Sequence, residues 1–167
     1  MIRIIQGDII HEETDSIVNA ANTSLCPGGG VSKSIHRAAG RKLWAECKSL
    51  GGCKTGEANI TKGYQLKASY VIHTVGPVYS GLKNDRIPLA SCYTNSLSLV
   101  QSYKLKSISF PAISAGIFGY PLHEAADVSL RAVIQWLEQH DAIELVQFVL
   151  YDETARTTFE NVLEERS

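Results

Sequence analysis

The sequence predicts a three-layer α/β fold around a largely parallel sheet, and three observations carry that prediction. Short apolar runs bounded by turn residues alternate with helix-period segments in the order β-β-α-α-β-β-α-β-α-β-α. Two of the runs, YVIHTV and LVQFVLY, are apolar almost throughout, as strands covered on both faces are. In the longest helical segment Leu122, Ala126, Leu130, Val133, Ile134 and Leu137 fall on one stripe, which has to bury against a sheet.

The chain opens with a strand candidate at Arg3–Ile5, and a second follows at Ser16–Asn19. Helices are expected over Val31–Ala39 and Lys42–Leu50, then strands at Ala58–Thr61 and Tyr70–Val75. A helix over Pro88–Tyr103, a strand at Ser107–Pro111 and a helix over Leu122–His140 come next. A strand at Glu144–Tyr151 and a helix over Thr154–Leu163 complete the order. Pro121 stands just ahead of the longest helix, where a missing N–H costs nothing. No linker, internal repeat or low-complexity tract interrupts the pattern, so residues 1–167 are expected to form one domain.

The 167 residues include 44% hydrophobic and 20% charged side chains, ordinary for a soluble chain with room for a full core. Lys and Arg total 16 against 17 Asp and Glu, a net charge of −1. Extended nucleic acid is therefore not expected as the main ligand, since gripping many phosphates needs a basic excess. A compact ligand with a few negative charges stays compatible, because backbone amides bind it without altering net charge. MIRIIQGDII lacks a signal-peptide pattern and no apolar run reaches bilayer length. The expectation is a cytoplasmic protein without a membrane partner. Cys26, Cys47, Cys53 and Cys92 form no Cys-x-x-Cys pair and no zinc-like spacing with the histidines. They read as free thiols, and neither a metal nor a cofactor is expected. Cys26 lies beside a glycine loop, with nothing nearby to mark it as a nucleophile.

In sheets of this kind ligands gather at the carboxyl ends of the strands. Three junctions there are rich in glycine or small residues: VNAANTSLCPGGGVS (Val18–Ser32), PAISAGIFGYP (Pro111–Pro121) and LYDET (Leu150–Thr154). Gly28, Gly29 and Gly30 bare the backbone just where a helix opens at Val31, and a helix start presents unpaired N–H groups to an anion. The run is neither Gly-x-Gly-x-x-Gly nor a Walker loop, and alone it reads better as a flexible surface loop. Ser114, Ala115, Gly116, Ile117 and Phe118 make a second small-residue bed ahead of the longest helix. Two such loops at one sheet edge are expected to grip a diphosphate from both sides.

Single residues carry alternatives. Asp8 follows Gly7 after the first strand, where it either caps a turn or accepts a hydrogen bond from an exocyclic amine. Neutral amides such as Asn22 suit ribose hydroxyls, which need donors and acceptors rather than charge. Asn19 is assigned to a structural turn. Tyr151 ends the last strand, either to stack on a base or to close the core. His73, inside a strand, reads as a satisfied core histidine, and His36 as a packing or hydrogen-bonding residue near the first loop. Ser32 and His36 are spaced to share a helix face, but no third group is evident to orient the imidazole, so a nucleophilic pair is not expected.

QGDI, IVNAAN, GGGV…IHRAAG, TGEA, VIHTVGP, FPAISAGIFGYP and FVLYDE stand in the order and spacing of a macrodomain. The chain resembles the MacroD type over essentially its whole length. The resemblance implies a three-layer α/β/α macrodomain with a mixed sheet, which binds ADP-ribose and removes it from proteins or from O-acetyl-ADP-ribose. It implies that Asp8, with Ile9 beside it, reads the adenine amine and that Tyr151 lies by the adenine. Gly28, Gly29, Gly30 and Val31 would then wrap the diphosphate together with Ser114 to Phe118, and Asn22 and Phe118 would border the distal ribose. ADP-ribose or an ADP-ribosylated protein is the expected partner, bound by a monomer.

One departure bears on chemistry. MacroD-type enzymes read Gly-Gly-Gly-Gly-Val-Asp-Gly, with the aspartate implicated in activating water, where this chain has Pro27 to Lys33, PGGGVSK. The aspartate is replaced by Ser32 and the next glycine by Lys33. A serine hydroxyl stays protonated near neutral pH and takes no proton from water unaided. Its expected structural role is a helix N-cap, and Lys33 reads as solvated. Macrodomains lacking the aspartate, viral ones included, still hydrolyse mono-ADP-ribose, which implies a phosphate oxygen of the ligand positioning the water. Asn22 and Ser32 are the candidate catalytic residues. The expected activity is slow hydrolysis of ester-linked mono-ADP-ribose or deacetylation of O-acetyl-ADP-ribose; the alternative is a reader of ADP-ribose that cleaves nothing.

Overall fold

A computed structural model describes residues 1–166. The strands are β1 (Ile2–Gln6), β2 (Ser16–Ala20), β3 (Ala58–Lys62), β4 (Tyr70–Thr74), β5 (Ser107–Phe110) and β6 (Leu145–Leu150). The helices are α1 (Gly30–Ala39), α2 (Arg41–Ser49), α3 (Arg86–Ser102), α4 (Leu122–Gln139) and α5 (Glu153–Glu165). One six-stranded sheet has the order β1-β6-β5-β2-β4-β3. Four pairings are parallel and only β3 runs against its neighbour, so the sheet is mixed and largely parallel, as expected.

Successive side chains of a strand point to opposite faces, and here both faces are apolar. Val18, Ile72, Ile108 and Phe148 face a core closed by α3, α4 and α5. Ile17, Val71 and Val149 face a second core closed by α1 and α2, where Ile35, Leu43 and Cys47 are buried. The first core holds an aromatic cluster: Phe110 stacks on Phe148 at 5.7 Å between centroids, with Tyr93 at 4.8 Å from Phe110. Each such ring, fully buried, contributes about 1.5–3 kcal/mol. The helix stripe read from the sequence is the buried side of α4, where Ala126, Leu130 and Val133 are inaccessible.

Element boundaries shift by small amounts with clear causes. The third helix starts at Arg86, two residues before Pro88, because the first N–H groups of a helix have no intrahelical partner for proline to remove. Two short 3-10 turns, Ile9–His11 and Lys83–Asp85, have no periodicity to announce them.

Asn19 is not a turn residue. It lies within β2, 1% exposed, and its Nδ2 donates to His73 Nδ1 at 3.1 Å. With Nδ1 accepting, His73 Nε2–H donates to Thr61 Oγ1 at 2.9 Å, and Thr61 donates onward to Lys62 O at 3.1 Å. His73 is thus a satisfied core histidine, and burial pushes its pKa down to about 3, so it is neutral. His36 packs beside it, ring centroids 6.5 Å apart, but neither of its nitrogens has a partner. It packs without hydrogen bonding, and burial lowers its pKa too.

The topology positions one crevice. Strands β2 and β5 are parallel neighbours, yet the chain leaves β2 for α1 on one face and β5 for α4 on the other. Their carboxyl ends therefore flank a gap that neither connection covers.

Candidate functional site

A cleft of about 580 Å³ occupies that gap. Ala20, Ala21, Pro111 and Ala112 form its floor, small side chains that leave room above the strand ends. One wall is the loop before α1 with Asn22 and residues 28–32; the other is residues 114–118. Val149 to Asp152, with Thr154 and Ala155 at the start of α5, close the far end.

The two loops meet across the cleft. A Cβ placed on Gly29 would lie 3.5 Å from Ile117 Cδ1, so the first loop's backbone touches the second loop's side chain. Ile117 is otherwise 86% exposed, a cost that nothing in the core repays. At Gly28 an added Cβ would come 3.2 Å from Asn22 Nδ2, so only glycine fits there without displacing that amide. Gly116 faces open space.

Ser114 shapes the second loop from beneath. It holds a left-handed φ of 66°, and its Oγ donates to Pro77 O at 2.8 Å. A Cβ on Gly76 would sit 2.2 Å from that Oγ, so the anchor depends on glycine at position 76. The hydroxyl is spent on the loop, and what Ser114 offers the cleft is its backbone.

Ser32 is not the helix N-cap. Gly29 occupies that position with extended backbone, and Ser32 is the third helical residue, 3% exposed. Its Oγ reaches back to accept from Gly28 N at 3.4 Å, closing the glycine turn over the helix start. No hydrogen bond joins it to His36, which leaves no nucleophilic pair.

Asn22 is engaged within its own loop. Its Oδ1 accepts from Cys26 N at 3.1 Å and Ser24 Oγ at 2.9 Å; its Nδ2 donates to Cys26 O at 3.1 Å. Leu25 at φ 60° makes the tight turn that these bonds hold. The Cys26 thiol receives Ser24 Oγ at 3.1 Å and Asn22 Nδ2 at 3.4 Å. Donation from Ser24, ahead of the weaker donation from Asn22, lowers the Cys26 pKa below the ordinary thiol value. This donation comes from the folded turn and has no counterpart in the sequence spacing.

At the other end, Tyr151 is 84% exposed and closes no core. Asp152 caps α5, its Oδ1 accepting from Ala155 N at 2.8 Å. Asp8 and Ile9 lie outside the cleft wall, on the edge-strand side of β6, where Gly7 N bonds Leu150 O at 2.9 Å. The Asp8 Oδ1 accepts from Ile10 N at 3.2 Å and caps the short turn. The Ile9 side chain is buried in the second core.

Tyr151 and Asp152 are the titratable side chains of the cleft wall; the walls around Ser32 hold none. Among the described residues no group of three or more His, Cys, Asp or Glu is placed to hold a metal ion, and no helix is long and apolar enough to cross a membrane. The unpaired N–H groups at the start of α1 suit an anion, and the exposed Tyr151 ring suits a flat group at the far end. Asp152, Thr154 and Ala155 escape sequence reading residue by residue, although LYDET marks their junction.

Comparison with known proteins fits this geometry. The Macro domain family model matches residues 18–129. A Macro domain-containing protein of Methanosarcina mazei is 49% identical over 163 residues, 97% of this chain and 87% of its own. Mouse ADP-ribose glycohydrolase MACROD1 is 53% identical over 141 residues, 83% of this chain but 44% of its own length. Among solved structures, an Oceanobacillus iheyensis macrodomain with ADP superposes with a TM-score of 0.93 at 44% identity, covering 97% of this chain and 90% of that one. A Trypanosoma brucei macrodomain in complex with ADP-ribose gives 0.92 at 41% identity, covering 97% and 68%. By fold, by cleft and by sequence, the chain belongs to the Macro domain family.

Proposed function

We propose that the cleft binds ADP-ribose and that the protein slowly hydrolyses ester-linked mono-ADP-ribose from proteins, or deacetylates O-acetyl-ADP-ribose. The observation that carries this reading is the meeting of two small-residue loops, Gly29 against Ile117, over the carboxyl ends of β2 and β5. A diphosphate between them meets the free N–H groups at the start of α1, where the helix dipole favours negative charge. Tyr151 offers an exposed ring to the adenine and Asp8 a carboxylate oxygen to its amine. Asn22 and Phe118 border the distal ribose.

In the hydrolysis, water oxygen bonds to the ribose carbon of the ester as the carbon–oxygen bond to the acceptor breaks. The bonding pair leaves with the carboxylate, and water's proton passes to a phosphate oxygen and on to solvent. Ser32 accepts no proton at neutral pH, so this chain contributes positioning: the loops fix the diphosphate, and Asn22 with its bonded turn fixes the ribose. A phosphate oxygen is a weak base, which makes the reaction slow. A second reading, binding without cleavage, is favoured by the same Ser32. Release of ADP-ribose from a glutamate-linked mono-ADP-ribosylated protein, measured beside a MacroD-type enzyme that retains its aspartate, separates the two. Slow but enzyme-dependent release supports hydrolysis; none, with binding intact, leaves the reader.

A further inference from the structure

The segment that joins β4 to α3 reaches the cleft only through the second loop. None of the described residues 76–85 lines the cleft itself. Yet the segment holds that loop at both ends: Ser114 Oγ donates to Pro77 O, and Tyr79 N donates to Phe118 O, each at 2.8 Å. The two ties differ in their footing. Gly76 and Pro77 are buried, with Gly76 pressed against Ile113 and Ser114. Tyr79 stands between the exposed Val78 and Ser80, just ahead of a left-handed turn at Gly81. Its place needs another support.

Asp85 supplies it. Its Oδ2 accepts from Ser80 N at 2.7 Å, and both of its oxygens accept from Ser80 Oγ at 2.8–2.9 Å. Asp85 occupies the N-cap position of α3, where an aspartate ordinarily accepts from its own helix. No such bond forms, and the carboxylate turns back to Ser80 instead. Donation from the Ser80 amide, ahead of the Ser80 hydroxyl, holds its carboxyl below the ordinary value. Among the described residues Asp85 has no ion pair, so what it contributes is hydrogen bonding. Its own footing is firm, because α3 buries Leu89, Cys92 and Tyr93 in the first core. A line of bonded residues thus runs from α3 through Asp85, Ser80 and Tyr79 to Phe118. The Tyr79 ring reinforces it, packed edge-on against Tyr120 at 5.0 Å between centroids.

We propose that Asp85 is a positioning residue for the distal-ribose end of the cleft, acting through Ser80 and Tyr79 on Phe118. The inference rests on the proposed function, which puts Phe118 beside the distal ribose, and it names what sets a preference for ADP-ribose over ADP. Releasing Asp85 loosens the Phe118 end of the loop and leaves the Ser114 end on its buried anchor. The distal ribose loses its border, while the diphosphate keeps its bed.

The test titrates the full chain with ADP-ribose and with ADP, by calorimetry, for the parent, Asp85→Ala and Asp85→Asn. In Asp85→Ala the affinity for ADP-ribose is expected to fall about fivefold. Affinity for ADP is expected to hold, which also reports that the variant is folded. Asparagine offers Ser80 N an oxygen without the charge, so Asp85→Asn is expected to recover most of the loss. The Gly119 amide, bonded to Gly116 O at 3.0 Å, should exchange with solvent faster in Asp85→Ala than in the parent. Unchanged ADP-ribose affinity, an equal loss for both ligands, no recovery in Asp85→Asn, or unchanged exchange would overturn the positioning role. Failure of the parent to bind ADP-ribose, or equal affinity of the parent for ADP-ribose and ADP, would instead overturn the reading on which it rests. The two failures are therefore seen in different proteins.

Discussion

The backbone N–H of Gly28 donates to the hydroxyl of Ser32 at 3.4 Å, across the turn that opens α1. This bond gives Ser32 a structural role at the position where the MacroD resemblance leads one to expect an aspartate. The loop needs an acceptor there to close its glycine turn, and a hydroxyl supplies one. What it does not supply is a base.

Ser32→Asp therefore keeps the structural bond and adds proton affinity. A carboxylate in the first turn also meets the favourable end of the helix dipole. Lys33 is exposed beside it and would pair with the new carboxylate, so Ser32→Asp with Lys33→Gly is the better variant. Release of ADP-ribose from an ester-linked protein substrate is expected to rise roughly 10²–10⁴-fold, the usual contribution of a positioned base, with little change in affinity. Unchanged rate at unchanged affinity means that the missing aspartate does not limit turnover.

Asp8 has two duties, and two substitutions separate them. Asp8→Ala removes both the turn cap and the proposed adenine acceptor, and is expected to cost about 1.5–3 kcal/mol of ADP-ribose affinity, as for a hydrogen bond to a charged group. Asp8→Asn retains an oxygen for Ile10 N, so stability should hold while affinity falls. Equal affinity in all three proteins, by calorimetry, removes Asp8 from the site.

The four thiols should react unequally. Burial pushes Cys47, Cys53 and Cys92 up to about 11, whereas hydroxyl and amide donation lowers Cys26. Donors stabilise the thiolate, which is the reactive form. Iodoacetamide near pH 8 is expected to label Cys26 first, and Ser24→Ala to slow that labelling, both read by peptide mass spectrometry. Even labelling, or indifference to Ser24, would contradict the assignment.

Acid should destabilise the fold through its buried histidines. His73 and His36 both have depressed pKa values when folded, so the unfolded chain binds more protons below its own histidine pKa near 6.5. Stability is complete above that value and falls as pH drops below it, by up to ~1.4 kcal/mol per pH unit for each histidine. His36 has two unpartnered buried nitrogens, so His36→Leu is expected to raise stability at pH 7 by about 1 kcal/mol and flatten the acid slope. Denaturant melts at pH 7 and pH 5 measure both. Destabilisation at pH 7 would contradict this account of His36.

How much of this is legible in the sequence depends on whether the signal is local. The near-continuous apolar runs YVIHTV and LVQFVLY and the stripe of α4 are local patterns, and the architecture follows from them. The glycines at 28–30 and the bed at 114–118 are also local, so both cleft walls can be read from the chain. Ser32 is harder, because whether it caps the helix or follows the cap turns on the backbone of Gly29. Asn19 points to a turn by composition, yet its partner His73 is supplied by a neighbouring strand. Asp152, Thr154 and Ala155 enter the cleft only because β6 lies beside β5. The thiol of Cys26 needs the left-handed turn at Leu25 to meet Ser24.

The claim beneath all of this is that the gap between the two loops holds the diphosphate of ADP-ribose. Gly116 tests it most directly, since it borders the cleft with open space around it and ordinary backbone. A glutamate there fits the fold but fills the gap and repels phosphate. Calorimetric titration with ADP-ribose should give saturable single-site binding for the parent and none for Gly116→Glu, with matching melting temperatures. No binding by the parent, or retained binding by a natively folded Gly116→Glu, would contradict it.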